Sequence, residues 1–242
     1  MRQLADHIIL AMGLLTRLPL PSRRVEPESS STAVWAWPIV GALVGGIGAI
    51  VGAASIAIGL TPWIAAVLAL IAMALATGGL HEDGLADSAD GLWGGQNRAR
   101  RLEIMRDSRV GAYGVLALGL TLLLRFAAVA AISEAGAWLA LVGAAAFGRS
   151  GMAVLMAFLP TARQDGLSHA TGRPSGTNVL VAVVIGIVLA AVTGPGLLGV
   201  HLAAAMLVWL GWQAQHKLGG QTGDILGAGC LLAETAALIA AI

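Results

Sequence analysis

Apolar residues fall in long unbroken windows separated by short polar stretches, and no strand-like alternation competes with them. A helix needs about 20 residues to cross the hydrocarbon core of a bilayer. The windows predict seven such helices, at 33–59, 62–80, 113–132, 136–159, 178–194, 196–213 and 225–242. Backbone polar groups in lipid must be satisfied within the segment, so windows of this kind predict a helical bundle. The run Ile8–Leu15 is too short to span, and Asp6, His7 and Arg17 flank it. It lacks the cleavage site of a signal peptide. Residues 1–20 are therefore read as an interfacial or bundle-docked helix, and 21–32 as a polar loop. The predicted fold class is all-α: a polytopic membrane bundle of about seven transmembrane helices with an N-terminal interfacial helix. The 242 residues form a single integral-membrane domain.

Composition supports that pattern. Only 11% of residues are charged and 57% are apolar, too few charges to cover a soluble domain. The formal net charge of +1, from 14 Lys+Arg and 13 Asp+Glu, gives no footprint for nucleic acid. A single cysteine, Cys230, forms no intrachain disulfide and reads as a small packing residue.

The position of the charges changes the picture more than their number. With seven spans, Arg17, Arg23, Arg24, the arginines of 98–109, Arg163, Arg173 and Lys217 all fall on one side. The turns near 59–62, 133–135 and 193–195 carry no Lys or Arg. Cationic residues concentrate on the cytoplasmic side, which places the N-terminus inside and the C-terminus outside. Loops 81–112, 160–177 and 214–224 then share one aqueous face and hold the candidate active site.

The first of these loops contains Asp83, Asp87 and Asp90, spaced to lie on one helix face. Like charges so placed repel, and hard oxygen ligands of this kind suit Mg²⁺ together with substrate phosphates. A solvated acidic helix end is the plain alternative. Glu82 points off that face, and His81 reads as a hydrogen-bonded structural histidine or a ligand. Asp107, Arg106 and Arg109 precede Gly111, where a carboxylate and an arginine can meet a metal-bound diphosphate. Positive-inside topology alone accounts for Arg98, Arg100 and Arg101. Arg163, Asp165 and Gly166 form either another anion-facing turn or an ordinary polar loop. Thr222, Gly223 and Asp224 lie in a glycine-rich segment suited to phosphate, with Asp224 on a metal, or to close helix packing. Arg125, Arg149 and Glu234 stand inside spans, where charges are expensive. The expectation is that Glu234 pairs with one arginine while the other faces a polar cavity, with a purely structural ion pair as the equal alternative. Spacing and charge lead to metal-assisted chemistry on a phosphate or diphosphate, and no further.

The stretches TRLPLP (16–21), GGLHEDGLADSADG (78–91), EIMRDSRVGAYGVLAL (103–118), ARQDGL (162–167) and GGQTGDILGA (219–228) resemble the cobalamin synthase family, in family order. Glu82 departs from that pattern, which expects an apolar residue. The resemblance implies a multi-pass enzyme of the bacterial inner membrane acting late in cobalamin biosynthesis. It implies transfer of adenosylcobinamide-GDP onto α-ribazole or its 5′-phosphate with release of GMP, and Mg²⁺ as cofactor. It implies that Asp83, Asp87, Asp90, Asp107 and Asp224 occupy the family's acidic positions. On that basis the five are expected metal ligands, the first four of them also catalytic, with Asp90 offered as proton acceptor. Arg106, Arg109, Arg163, Arg149, Thr222 and Gly223 are the expected substrate-binding residues. The lipid bilayer is an expected partner, and a homo-oligomer or a complex with other enzymes of the pathway is compatible with the reading. A CDP-alcohol-type phosphotransferase, a transporter and a scaffold remain the alternatives.

Overall fold

The computed structural model describes residues 2–20 and 30–242, so Arg23 and Arg24 lie outside the described residues. Among the described residues there are eleven α-helices. They are α1 Arg2–Leu15, α2 Trp37–Ala57, α3 Pro62–Thr77, α4 Leu80–Gly94, α5 Arg98–Ile104 and α6 Ala112–Glu134. There follow α7 Ala140–Phe158, α8 Leu167–Thr171, α9 Gly176–Thr193, α10 Gly196–Leu218 and α11 Gly223–Ile239. A 3₁₀ turn, Thr32–Ala36, leads into α2.

Each predicted span has its helix, but the helices are not equivalent. Five segments are long and apolar enough to cross a membrane alone: Thr32–Ala57, α6, α7, α9 and α10. Helix α3 reaches that length only together with α4, from which it is bent by 87°. The bend lies at Gly78 and Gly79, both left-handed at φ 68° and 71°, a conformation that glycine adopts without steric cost. Gly78 is also pinned from outside, because a Cβ there would sit 2.6 Å from Arg17 Cγ. Helix α4 carries Glu82, Asp83, Asp87 and Asp90 and is read as lying across the polar end of the bundle, outside the spanning segments. Helix α11 has 17 residues and is buried along nearly its whole length. It and α7 are the two helices around which the rest pack.

Small residues set that packing. A Cβ on Gly41 or Gly45 of α2 would lie 2.3 or 2.2 Å from a carbonyl oxygen of α7. The two helices therefore approach to backbone contact, as small-residue faces allow in lipid. Leu116, Leu120, Leu123, Val184, Val188 and Val208 on α6, α9 and α10 point outward and exposed. Such side chains have lipid as their natural surroundings, and the chain is a multi-pass helical membrane protein. Helix α1 is docked on the bundle, with Ala11 and Leu15 buried. Trp35 Nε1 donates to His7 Nδ1 at 2.9 Å and fixes its approach.

Candidate active site

Close contact between α4 and α11 creates the polar end of the bundle. Gly84 faces Gly227, and a Cβ on Gly84 would lie 2.9 Å from the Asp224 carbonyl oxygen. That approach brings Asp83 and Asp87 of α4 beside Asp224, the second residue of α11. Thr222 caps α11 by accepting from Ile225 N at 3.3 Å. The 160s loop is tied on by a parallel bridge between Thr161 and Gln221. Gln221 N donates to Pro160 O and Ala162 N to Gln221 O, both at 2.8 Å. This places Arg163 Nη2 2.8 Å from Asp224 Oδ2. Asp165 continues the chain of charges, 3.8 Å from Arg163 and 2.5 Å from Arg106. Residues from three separate segments thus meet at one mouth.

Burial first, then the charges of Asp83, Asp224 and Asp90, push the Asp87 carboxyl up to about 7. Burial likewise raises Asp224 above the ordinary carboxylate range, against the pull of Arg163. Carboxylates crowded beyond what one arginine neutralises are the environment a hard cation relieves. Among the described residues no three His, Cys, Asp or Glu side chains form a ready-made metal cage. Mg²⁺ usually binds one or two carboxylates and takes its remaining ligands from water and substrate phosphate. Asp83, Asp87 and Asp224 fit that incomplete donor set.

The predicted residues do not all meet there. Asp90 follows the same helical face as Asp83 and Asp87, yet it is buried. One of its oxygens accepts Gly111 N at 2.6 Å and the other Gly114 N at 2.9 Å, closing the start of α6. A Cβ on either glycine would collide with the carboxylate. Each oxygen accepts one backbone amide, so Asp90 seats the start of α6. Asp107 stands at the surface with Arg109, bonded through both oxygens, and Arg109 holds its carboxyl down to about 2. The pair neutralises itself apart from the carboxylate cluster. Thr222 is fully buried as the α11 cap, so it supports the site from beneath. Gly223, by contrast, lines the cavity described below.

Arg149 is also corrected. Both arginines bond the same carboxylate: Arg125 Nη2 donates to Glu234 Oε1 at 2.6 Å and Arg149 Nη1 to Oε2. All three side chains are at most 3% exposed. Glu234 therefore pairs with both arginines, and Arg149 does not reach a substrate surface. Its Nη2 instead lies 3.4 Å from His81 Nδ1. The arginines of α5 have structural work too. Arg98 donates to the carbonyls of Leu218 and Ala162 at 2.6 and 2.7 Å, tying α5 to the end of α10 and to the 160s loop.

Beside the carboxylates is a cavity of about 240 Å³ whose polar lining includes His81, Asp83, Arg163, Ser168, Thr171 and Asp224. His81 is 2% exposed. Its place in this lining was hidden in the sequence, because only the fold turns the start of α4 toward α7 and α11.

The profile of the cobalamin-5-phosphate synthase family matches residues 7–242. A protein of Bradyrhizobium diazoefficiens named adenosylcobinamide-GDP ribazoletransferase is 47% identical, covering 94% of this chain and 89% of that protein. Relatives of the same name occur in Mesorhizobium japonicum, 44% identical over 99% of this chain and 94% of theirs, and in Chlorobaculum tepidum, 38% identical over 97% and 94%. No solved structure matches the chain.

Proposed function

The chain belongs to the cobalamin-5-phosphate synthase family, and from that premise we propose the reaction and the residues that carry it. The protein is an adenosylcobinamide-GDP ribazoletransferase. It joins adenosylcobinamide-GDP to α-ribazole or its 5′-phosphate and releases GMP. The observation that supports a site for this chemistry is the meeting of Asp83, Asp87, Asp224 and Arg163 at one polar mouth of an apolar bundle. The concentration of arginines on the loops around that mouth supports placing it on the cytoplasmic side of the bacterial inner membrane.

The substrate diphosphate lies across the mouth. Asp83, Asp87 and Asp224 would hold Mg²⁺, which when bound neutralises phosphate charge and the charge developing on the departing GMP. Arg163, whose side chain is 14% exposed at the mouth and whose Nη2 is held by Asp224, is offered to the same phosphate. That pairing aims the guanidinium before substrate arrives. Arg106, at the rim through Asp165, extends the cationic surface. The ribose hydroxyl oxygen of ribazole attacks the phosphorus next to the corrinoid arm. The bond from that phosphorus to the oxygen bridging it to GMP breaks, and the bonding pair leaves with GMP. The hydroxyl proton passes to a carboxylate of Asp83 or Asp87, since Asp90 is engaged by backbone amides.

The test is a transfer assay on purified protein in detergent or liposomes, with and without Mg²⁺ and with mass identification of the corrinoid. Mg²⁺-dependent formation of the joined corrinoid and GMP is expected. Absence of both products under every condition that keeps the protein folded rejects the proposal.

A further inference from the structure

A second hollow lies away from the carboxylates, within the spanning part of the bundle. Helices α7, α9 and α10 leave between them a groove of about 470 Å³, with Phe147, Leu155, Phe158, Ile187, Leu207 and Val208 in its walls. Ser150 is the one polar residue of its lining among the described residues. Its hydroxyl is already engaged by the carbonyl oxygens of Ala182 at 2.8 Å and Ala146 at 3.2 Å. A sugar, a phosphate or an amide would stay unpaired there, so the groove takes hydrocarbon. It follows α7 from Phe147, near the middle of the helix, to Phe158 at its end. At 1.5 Å per residue that stretch is about 16 Å long, close to the roughly 15 Å depth of one leaflet's hydrocarbon.

The groove ends at Leu159, which is also a wall of a polar hollow of about 340 Å³ lined by Thr161, His169, Arg173 and Gln221. The Thr161–Gln221 bridge and the bond from Gln221 N to Pro160 O hold that hollow in shape. Arg173 stands at the junction of the two. Its Nε and Nη2 donate to Ala157 O, in the last turn of α7, at 3.0 and 2.6 Å, which fixes the guanidinium over the groove's end. Arg106, Arg109, Arg125, Arg149 and Arg163 each pair with a carboxylate. Arg173 is exposed, and among the described residues its bonds go to that carbonyl alone.

We propose that this is a binding site for an anionic phospholipid of the leaflet on the side of the polar mouth. One acyl chain lies in the groove between α7, α9 and α10, and the headgroup phosphate meets Arg173. Hydrocarbon gains little by leaving lipid for an equally apolar groove, so the headgroup contact does the selecting. Arginine recognises phosphate through paired N–H donors, and Arg173 has no carboxylate to compete with it. A zwitterionic lipid brings its own cation beside the phosphate, which an unneutralised arginine disfavours. The site is separate from the carboxylate cluster and does not depend on the reaction assigned to it.

The test places the full chain in phosphatidylcholine vesicles with a trace of phosphatidylglycerol or phosphatidylcholine carrying a photoreactive diazirine midway along one acyl chain. After illumination, labelled peptides are located by mass. Leu116, Leu120 and Leu123 of α6 serve as the reference, because they are exposed and line no groove. One arginine at a membrane surface is worth about a fivefold preference for an anionic lipid. In wild type the phosphatidylglycerol probe is expected to label Val154, Val183 and Val208 about fivefold more than the phosphatidylcholine probe, with no such difference on α6. Arg173→Gln should remove the preference. Ala204→Phe, which projects a ring into the groove, should lower groove labelling by both probes and leave α6 unchanged. The wild-type comparison needs no substitution, so it decides the matter even if a variant does not fold. Equal labelling of the groove by the two probes, or the same preference on α6, shows passing lipid only and overturns the site. Cross-links from these groove residues to a second copy of the chain, in place of lipid adducts, overturn it in favour of a dimer contact.

Discussion

Replacing Glu234 by Gln keeps the shape of the side chain and removes only its charge. In the native protein that carboxylate is shared by two arginines, and all three side chains are at most 3% exposed. At a separation of about 4 Å and an effective dielectric of 20, each opposite pair is worth roughly 4 kcal/mol before desolvation. Breaking a buried ion pair from one side typically costs about 3–5 kcal/mol, because the remaining charge is stranded. Here the substitution strands Arg125 and Arg149 together. We expect a loss of about 3–5 kcal/mol, which for a chain of this length lowers the melting temperature by roughly 6–20 °C. The assay is thermal unfolding of detergent-solubilised protein at one fixed scan rate, since membrane proteins rarely unfold reversibly. Adding Arg125→Met should recover some of the loss by removing one stranded cation. A Glu234→Gln protein melting within about 2 °C of wild type, the range of a surface change, would refute the reasoning.

Four further outcomes follow from the site. Asp87→Asn should lower transfer by about a hundredfold or more, whereas Asp107→Asn, altering only a surface pair with Arg109, should change it by less than about threefold. Asp90→Ala strands the amides of Gly111 and Gly114 and should cost about 1–3 kcal/mol in a melting experiment, with or without Mg²⁺. Mg²⁺ should raise the melting temperature of wild type but not of an Asp83→Asn, Asp87→Asn double variant, because only the first holds the carboxylate cluster. The Asp107 carboxyl, depressed to about 2 by Arg109, should stay charged from neutral pH down through 4. The pair is lost as pH falls through 2, and Arg109→Met should move the midpoint of a carbon NMR titration up toward the ordinary value.

The chemistry of the site was legible where it depends on composition along the chain. Asp83, Asp87, Asp224 and Arg163 carry polar groups that an apolar protein keeps only at an aqueous end, and the fold brings them together. Asp90 sits deeper than its spacing suggests. Helical spacing assigns residues to a face, yet that face runs from the exposed Asp83 through the half-buried Asp87 into the contact with α6. Spacing does not tell how deep each position lies. Arg149 was misplaced because two arginines compete for one carboxylate, and only their positions on α6 and α7 around α11 show that both succeed. Thr222 looked like a member of a phosphate loop, and its capping bond to Ile225 turns it inward.

The hydrophobic windows determined a helical membrane bundle by themselves, because a backbone in lipid has few ways to satisfy its hydrogen bonds. The crowding of charge into three loops determined that the chemistry sits at one end. Tertiary structure decided which helices are core and which face lipid, since α11 and α6 have similarly apolar sequences but opposite surroundings. It also decided the line between carboxylates that can meet a cation and those that brace the fold. The 87° turn at Gly78 and Gly79 and the glycine contact between α4 and α11 draw that line, through distances between segments more than a hundred residues apart.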